Sequence, residues 1–69
     1  MQYQARAYYQ QRISLPHLYE EKPFTSKAAA LTWARAYPDC FLVEIWQGRK
    51  LLIQQSRYYR KTWRHHHVG

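Results

Sequence analysis

The sequence predicts an α+β fold: a small single domain with a three- or four-stranded antiparallel sheet and one helix packed on one face. Three observations predict it. Residues 3–15 alternate in character, residues 26–37 carry apolar side chains at helical spacing, and residues 40–59 hold two apolar runs around one glycine. Period-two alternation marks a half-buried strand, and recurrence at i, i+3, i+4 and i+7 marks an amphipathic helix. At 69 residues the chain reads as one domain, residues 1–69, with room for a single small core.

In the first element the odd positions read Tyr3, Ala5, Ala7, Tyr9, Gln11, Ile13 and Leu15. The even positions read Gln4, Arg6, Tyr8, Gln10, Arg12 and Ser14, a polar outer face. The run is longer than a usual strand, so a bend or turn is expected near Gln10 and Gln11. Pro16 then interrupts it, and residues 18–24 form a short stretch compatible with an edge strand.

The helix over about residues 26–37 has clear punctuation. Thr25 or Ser26 supplies the N-cap oxygen, residues 28–31 are strong helix formers, and Pro38 stops the helix after Tyr37. Ala30, Trp33, Ala34 and Tyr37 share one face, while Ala28, Thr32 and Arg35 point away. Small alanines let such a helix lie close to a sheet, with the Trp33 indole filling the gap.

Residues 40–47 read as a strand with Phe41, Val43 and Ile45 on its buried face and Leu42, Glu44 and Trp46 on the other. Gly48 marks a hairpin, and residues 50–59 return. A three-residue loop of Gln47, Gly48 and Arg49 would put Leu51 and Ile53 on the face of Ile45 and Val43. A two-residue loop of Gly48 and Arg49 would oppose Ile45 to Leu52. The first buries more on one face and is the expected register. The remaining tail either prolongs the last strand or hangs free.

The formal net charge of +7 is unevenly placed. Residues 1–19 carry +2, residues 20–44 hold all four acids and sum to −1, and residues 45–69 carry +6. Such asymmetry attracts anionic partners at long range. The most informative stretch is the C-terminal segment 57–67. Arg57, Arg60, Lys61 and Arg64 are interleaved there with Tyr58, Tyr59 and Trp63, and no acid interrupts them. Cations neutralise phosphates and flat rings stack on bases, so Tyr58 and Trp63 are candidate platforms beside four phosphate ligands. The plainer arrangement has Tyr59 and Trp63 packing back on the helix above a solvated rim of cations.

Two further patches join this segment. Arg6, Tyr8 and Arg12 fall on one side of the first strand, a spacing that sets a ring between two guanidinium groups on an open sheet face. Arg49 and Lys50 place adjacent cations on the hairpin tip, just after Trp46. A Gly- and aromatic-rich RNA-binding octapeptide is absent, and one helix is read where that fold needs two.

Several function classes lack support. Cys40 is the one cysteine, so no intramolecular disulfide forms, and a small buried apolar role in a reducing compartment is expected. Apolar runs reach four residues at most, which supports neither export nor a membrane partner; a cytoplasmic location is expected. His65, His66 and His67 are consecutive, and with His17 and Cys40 they lack paired-ligand spacing, so neither metal nor cofactor is expected. Protonation of these histidines below about pH 6.5 would add positive charge. Glu20 and Glu21 point to opposite faces of a strand, and no phosphate cradle or nucleophile elbow is present. The expected function is non-catalytic binding of nucleic acid, DNA or RNA. The alternative is docking on an acidic protein surface, or on the nucleic-acid-binding surface of a larger complex that it modulates or inhibits, as a mobile-element accessory protein would.

Overall fold

The computed structural model describes residues 2–10, 16–58 and 61–68, with backbone alone at residues 10 and 16–19. Six elements follow one another: β1 (Tyr3–Gln10), β2 (Pro16–Phe24), α1 (Lys27–Arg35), β3 (Cys40–Gln47), β4 (Lys50–Ser56) and β5 (Arg64–His66). The strands form one antiparallel sheet in the order β2-β1-β3-β4-β5. The α+β class holds, and the sheet has five strands rather than three or four.

The extra strand comes from the tail. After Ser56 the chain neither continues β4 nor hangs free. It turns, with the Lys61 amide donating to the Tyr58 carbonyl at 3.2 Å, and returns as β5 beside β4. Of the first alternating run, Tyr3–Gln10 forms β1, residues 11–15 lie outside the described residues, and β2 pairs back on β1 from Pro16 onward. Pro16 therefore opens an edge strand, a position where its missing donor costs little.

Helix α1 begins at Ser26, whose hydroxyl accepts from the Ala29 amide at 3.3 Å. It ends at Arg35 with Ala36 as C-cap, two residues short of the expected stop. Tyr37 precedes Pro38, and the residue before a proline is pushed out of the helical region. Ala30 and Ala34 are fully buried, with Trp33 and Tyr37 partly buried against the same core. Ala28, Thr32 and Arg35 face outward as expected.

Against α1 lie Ala5 and Ala7 of β1 and Val43 and Ile45 of β3, all at zero exposure, with Cys40 at the end. The interface is thus alanine on alanine, backed by two β-branched side chains. No gap remains for a central indole. Trp33 instead sits at the margin, 5.5 Å from Phe24 and 5.4 Å from Tyr37 between ring centroids. The close approach of helix and sheet excludes it from the centre.

Three register shifts interrupt the sheet among the described residues, one between β1 and β2 and two that decide the registers of β3 and β4. In β3, Tyr8 faces Leu42 and Tyr9 faces Cys40, so Phe41 is the extra residue. That slip gives Cys40 the buried place and moves Phe41 to a half-buried one, correcting the alternation expected there. In the hairpin, Gln47 pairs with Lys50 around a two-residue turn of Gly48 and Arg49. Gly48 has φ +60, the left-handed region a tight hairpin demands. The favoured three-residue loop is therefore not used. A bulge at Leu52 lets Ile45 still face Ile53, so the apolar pairing survives the shorter loop.

The nine-residue helix is about 14 Å long and packs on β1, β2 and β3. Over β4 and β5 its place is taken by Ile53 and Trp63, both leaning on the core. Among the described residues no helix is long and apolar enough to cross a membrane.

Candidate functional site

Directly paired residues share a face of the sheet, so the register assigns the face away from the helix. One row crosses all five strands: Glu21, Arg6, Glu44, Gln54 and His66. A second row runs through Tyr8, Leu42, Ser56 and Arg64.

The first row carries two carboxylates and one guanidinium. Arg6 donates from Nε to Glu21 Oε2 at 2.9 Å, and its guanidinium lies 5.0 Å from the Trp46 ring centroid. Glu44 is a hub at the centre. Its Oε1 accepts from the Tyr8 hydroxyl at 2.8 Å and from Trp46 Nε1 at 3.1 Å, and its Oε2 accepts from Gln54 Nε2 at 3.0 Å. Partial burial and then the Glu44 carboxylate push the Tyr8 phenol up to about 12. The sheet face expected to be a basic platform thus carries a paired arginine, a tethered tyrosine and a central carboxylate. Arg12, the third member of that patch, lies outside the described residues.

The C-terminal segment divides into structural and exposed residues. Arg57 leaves β4 with its amide bound to the Phe41 carbonyl at 2.9 Å. Its guanidinium reaches the chain just after α1, where it donates to the carbonyls of Cys40 (2.9 Å), Pro38 (3.2 Å) and Tyr37 (3.4 Å). Carbonyls beyond a helix C-terminus lack helical partners, and a planar cation with several donors suits them. The same group lies 4.5 Å from the Trp63 ring centroid, and the Arg35 guanidinium lies 5.8 Å from it. Trp63 is half-buried against the core. Arg57 and Trp63, expected as phosphate ligand and base platform, are engaged within the fold. Trp63 packs back as in the plainer arrangement, Arg57 is not part of a solvated rim, and Tyr59 lies outside the described residues.

What the tail builds is a concavity of about 700 Å³ at the corner where β3 begins, β4 ends and β5 returns. Phe41 and Ser56 line it from the sheet, Arg57, Tyr58, Lys61 and Thr62 from the segment after β4, and Arg64 and His66 from β5. Tyr58 is 70% exposed. Among the described residues, no hydrogen bond or ion pair engages the side chains of Lys61, Arg64, Arg49 or Lys50. None of the four acids lines the concavity. Ser56 Oγ and His66 Nε2 are hydrogen-bonded on its wall. Arg60 lies outside the described residues, and Arg49 and Lys50 sit apart, at the opposite end of β4.

Phe41, Ser56, Thr62 and His66 were not singled out as binding residues from the sequence. The bulge at Phe41 and the return of β5 bring them together, and neither has a local signature. Histidines 65–67 diverge once in the strand: His65 and His67 are exposed while His66 is half-buried. Among the described residues no three His, Cys, Asp or Glu side chains are grouped to hold a metal. Burial pushes the Cys40 thiol up, above its ordinary range, and its S–H donates to the Leu42 carbonyl at 3.3 Å. A buried thiol so raised is a poor nucleophile. Comparison with protein-family models, curated proteins and solved structures finds no match to this chain.

Proposed function

We propose that this chain is a non-catalytic nucleic-acid-binding protein whose contact surface is the concavity formed by the C-terminal turn and β5. The observation that carries the reading is the grouping, at one corner, of two unengaged cations (Lys61 and Arg64), an exposed ring (Tyr58) and no acid. Phosphates exchange their condensed counterions for such cations, and the released ions supply much of the affinity. The net charge of +7 adds long-range attraction. Arg57 supports the surface from below by holding the turn against the helix end.

Fluorescence anisotropy with labelled oligonucleotides across a salt series tests the reading. Each phosphate contacted contributes a slope of about 0.7 to 0.9 in log K against log[salt], so Lys61→Ala with Arg64→Ala should flatten the slope by about 1.4 to 1.8. Binding that ignores salt, or a double variant with the parental slope, would remove this surface from the function. Capture of a protein from nuclease-treated lysate, lost in the same double variant and without oligonucleotide binding, would transfer the surface to an acidic protein partner.

A further inference from the structure

We infer that the concavity takes an unpaired nucleotide, so that the chain selects single-stranded over duplex nucleic acid. The inference rests on the nucleic-acid reading of this corner and names its ligand class. The first argument is shape. A duplex hides its base faces in the stack and admits protein through grooves that only convex elements enter, a helix or a two-stranded ribbon. This corner is the reverse, a hollow of about 700 Å³. Hollows of roughly 300 to 1,000 Å³ hold small organic ligands, which leaves room for about one nucleotide and none for a duplex.

The second argument is the chemistry of the walls. A base needs a ring to stack on, and Tyr58 offers one at 70% exposure, with Phe41 contributing to the lining. The polar edge of a base needs donors and acceptors at fixed positions. The Ser56 hydroxyl and the His66 imidazole supply both, and their mutual hydrogen bond holds them in place. The phosphate of that nucleotide needs cations beside the base, and Lys61 and Arg64 line the same hollow. Stacking and phosphate contact in one site is the recurrent way that single strands are held.

The third argument concerns the alternative duplex readers. Helix α1 turns Ala28, Ala29, Thr32 and Arg35 outward. The Thr32 hydroxyl is bound back to the Ala28 carbonyl at 3.0 Å, and Arg35 is engaged with Gln55. That face has nothing to read a groove with. The β3–β4 hairpin tip carries Arg49 and Lys50, so among the described residues it is the competitor for a duplex.

The test uses the full chain and labelled, unstructured oligonucleotides of about 20 nucleotides, beside the duplexes made from them. Single strands should bind at least roughly tenfold tighter than duplexes at equal salt. Tyr58→Ala should weaken single-strand binding by roughly 5- to 100-fold with the salt slope unchanged, while Tyr58→Phe keeps the affinity. Equal or tighter duplex binding overturns the inference and leaves the proposed function standing. So does single-strand binding indifferent to Tyr58→Ala, or duplex binding lost in Arg49→Ala with Lys50→Ala and unaffected at Lys61 and Arg64. Absence of binding to either form overturns the proposed function itself, and this inference with it.

Discussion

Arg57 is one residue performing the work of a loop anchor. Its backbone closes on Phe41 and its guanidinium gathers three carbonyls past the end of α1, with Trp63 against it. Hydrogen bonds to a charged donor contribute about 1.5–3 kcal/mol each at most, and the shared, long ones here less. Arg57→Ala should therefore cost about 1–3 kcal/mol in denaturant unfolding and leave the salt slope of oligonucleotide binding unaltered. An unchanged midpoint with a flattened slope would make Arg57 a phosphate ligand instead. Tyr8 gives a second prediction through its phenol, held at about 12 by burial and the Glu44 carboxylate. An unfolded tyrosine ionises near 10, so the folded state holds its proton more tightly. The stabilisation from Tyr8 is complete below about pH 10 and is lost as pH rises toward 12. Unfolding midpoints at about pH 9 and 11 should fall further for the parent than for Tyr8→Phe; parallel falls would disprove the coupling.

At the scale of elements, the helix–sheet contact is set by what is small. Ala5, Ala7, Ala30 and Ala34 have no exposed surface, so the helix rests close to the strands and large rings are driven to the rim. Close packing of this kind resists added volume more than it misses removed volume. Ala34→Leu should cost about 1–3 kcal/mol, since three more carbons have no cavity to enter. Trp33→Ala, at the margin, should stay under the roughly 3–5 kcal/mol typical of a buried aromatic. Chemical denaturation of the pair decides it: a larger loss at Trp33 than at Ala34 would put the indole back at the centre. The bulges at Phe41 and Leu52 act at the same scale. Each shifts one strand by one residue, which exchanges the faces of the side chains beyond it and here selects Cys40 over Phe41 and keeps Ile53 against Ile45.

At the scale of the whole molecule, β5 protects as well as binds. Without it β4 would be an edge strand of seven residues, and unprotected edges invite pairing with other chains. The return of the tail also carries Trp63 onto the core beside Ile53, beyond the reach of the helix. A chain ending at residue 57 should thus be less stable and more prone to self-association than the full chain, by light scattering and thermal melting. A truncated chain with the parental melting point and size would mean that the tail serves binding alone. The charge layout fits the same division. Glu21 and Glu44 are engaged with Arg6 and Tyr8 across β2, β1 and β3, while Arg49, Lys50, Lys61 and Arg64 stand toward the two ends of β4.

Local rules were enough for the class, the helix, the boundaries of β3 and the polar character of the tail. A cap at Ser26, a proline at 38, alternation in residues 3–10 and a glycine at 48 each constrain their own few residues, and those constraints act within one turn or one strand. The chemistry of Lys61, Arg64 and Tyr58 was equally legible, because charge and aromaticity belong to the residue itself. What the tail does was not legible. Whether residues 57–66 extend β4 or fold back depends on Arg57 meeting carbonyls 17 to 20 residues earlier, an encounter with no local trace. The same holds for the neutralised sheet face, where Arg6 meets Glu21 and Tyr8 meets Glu44 only once three strands are paired. Bulges, too, arise from the fit between strands. Periodicity and composition therefore determined which elements form and what they carry, while register and chain return, being properties of contacts distant in sequence, decided which cations stay exposed and where they gather.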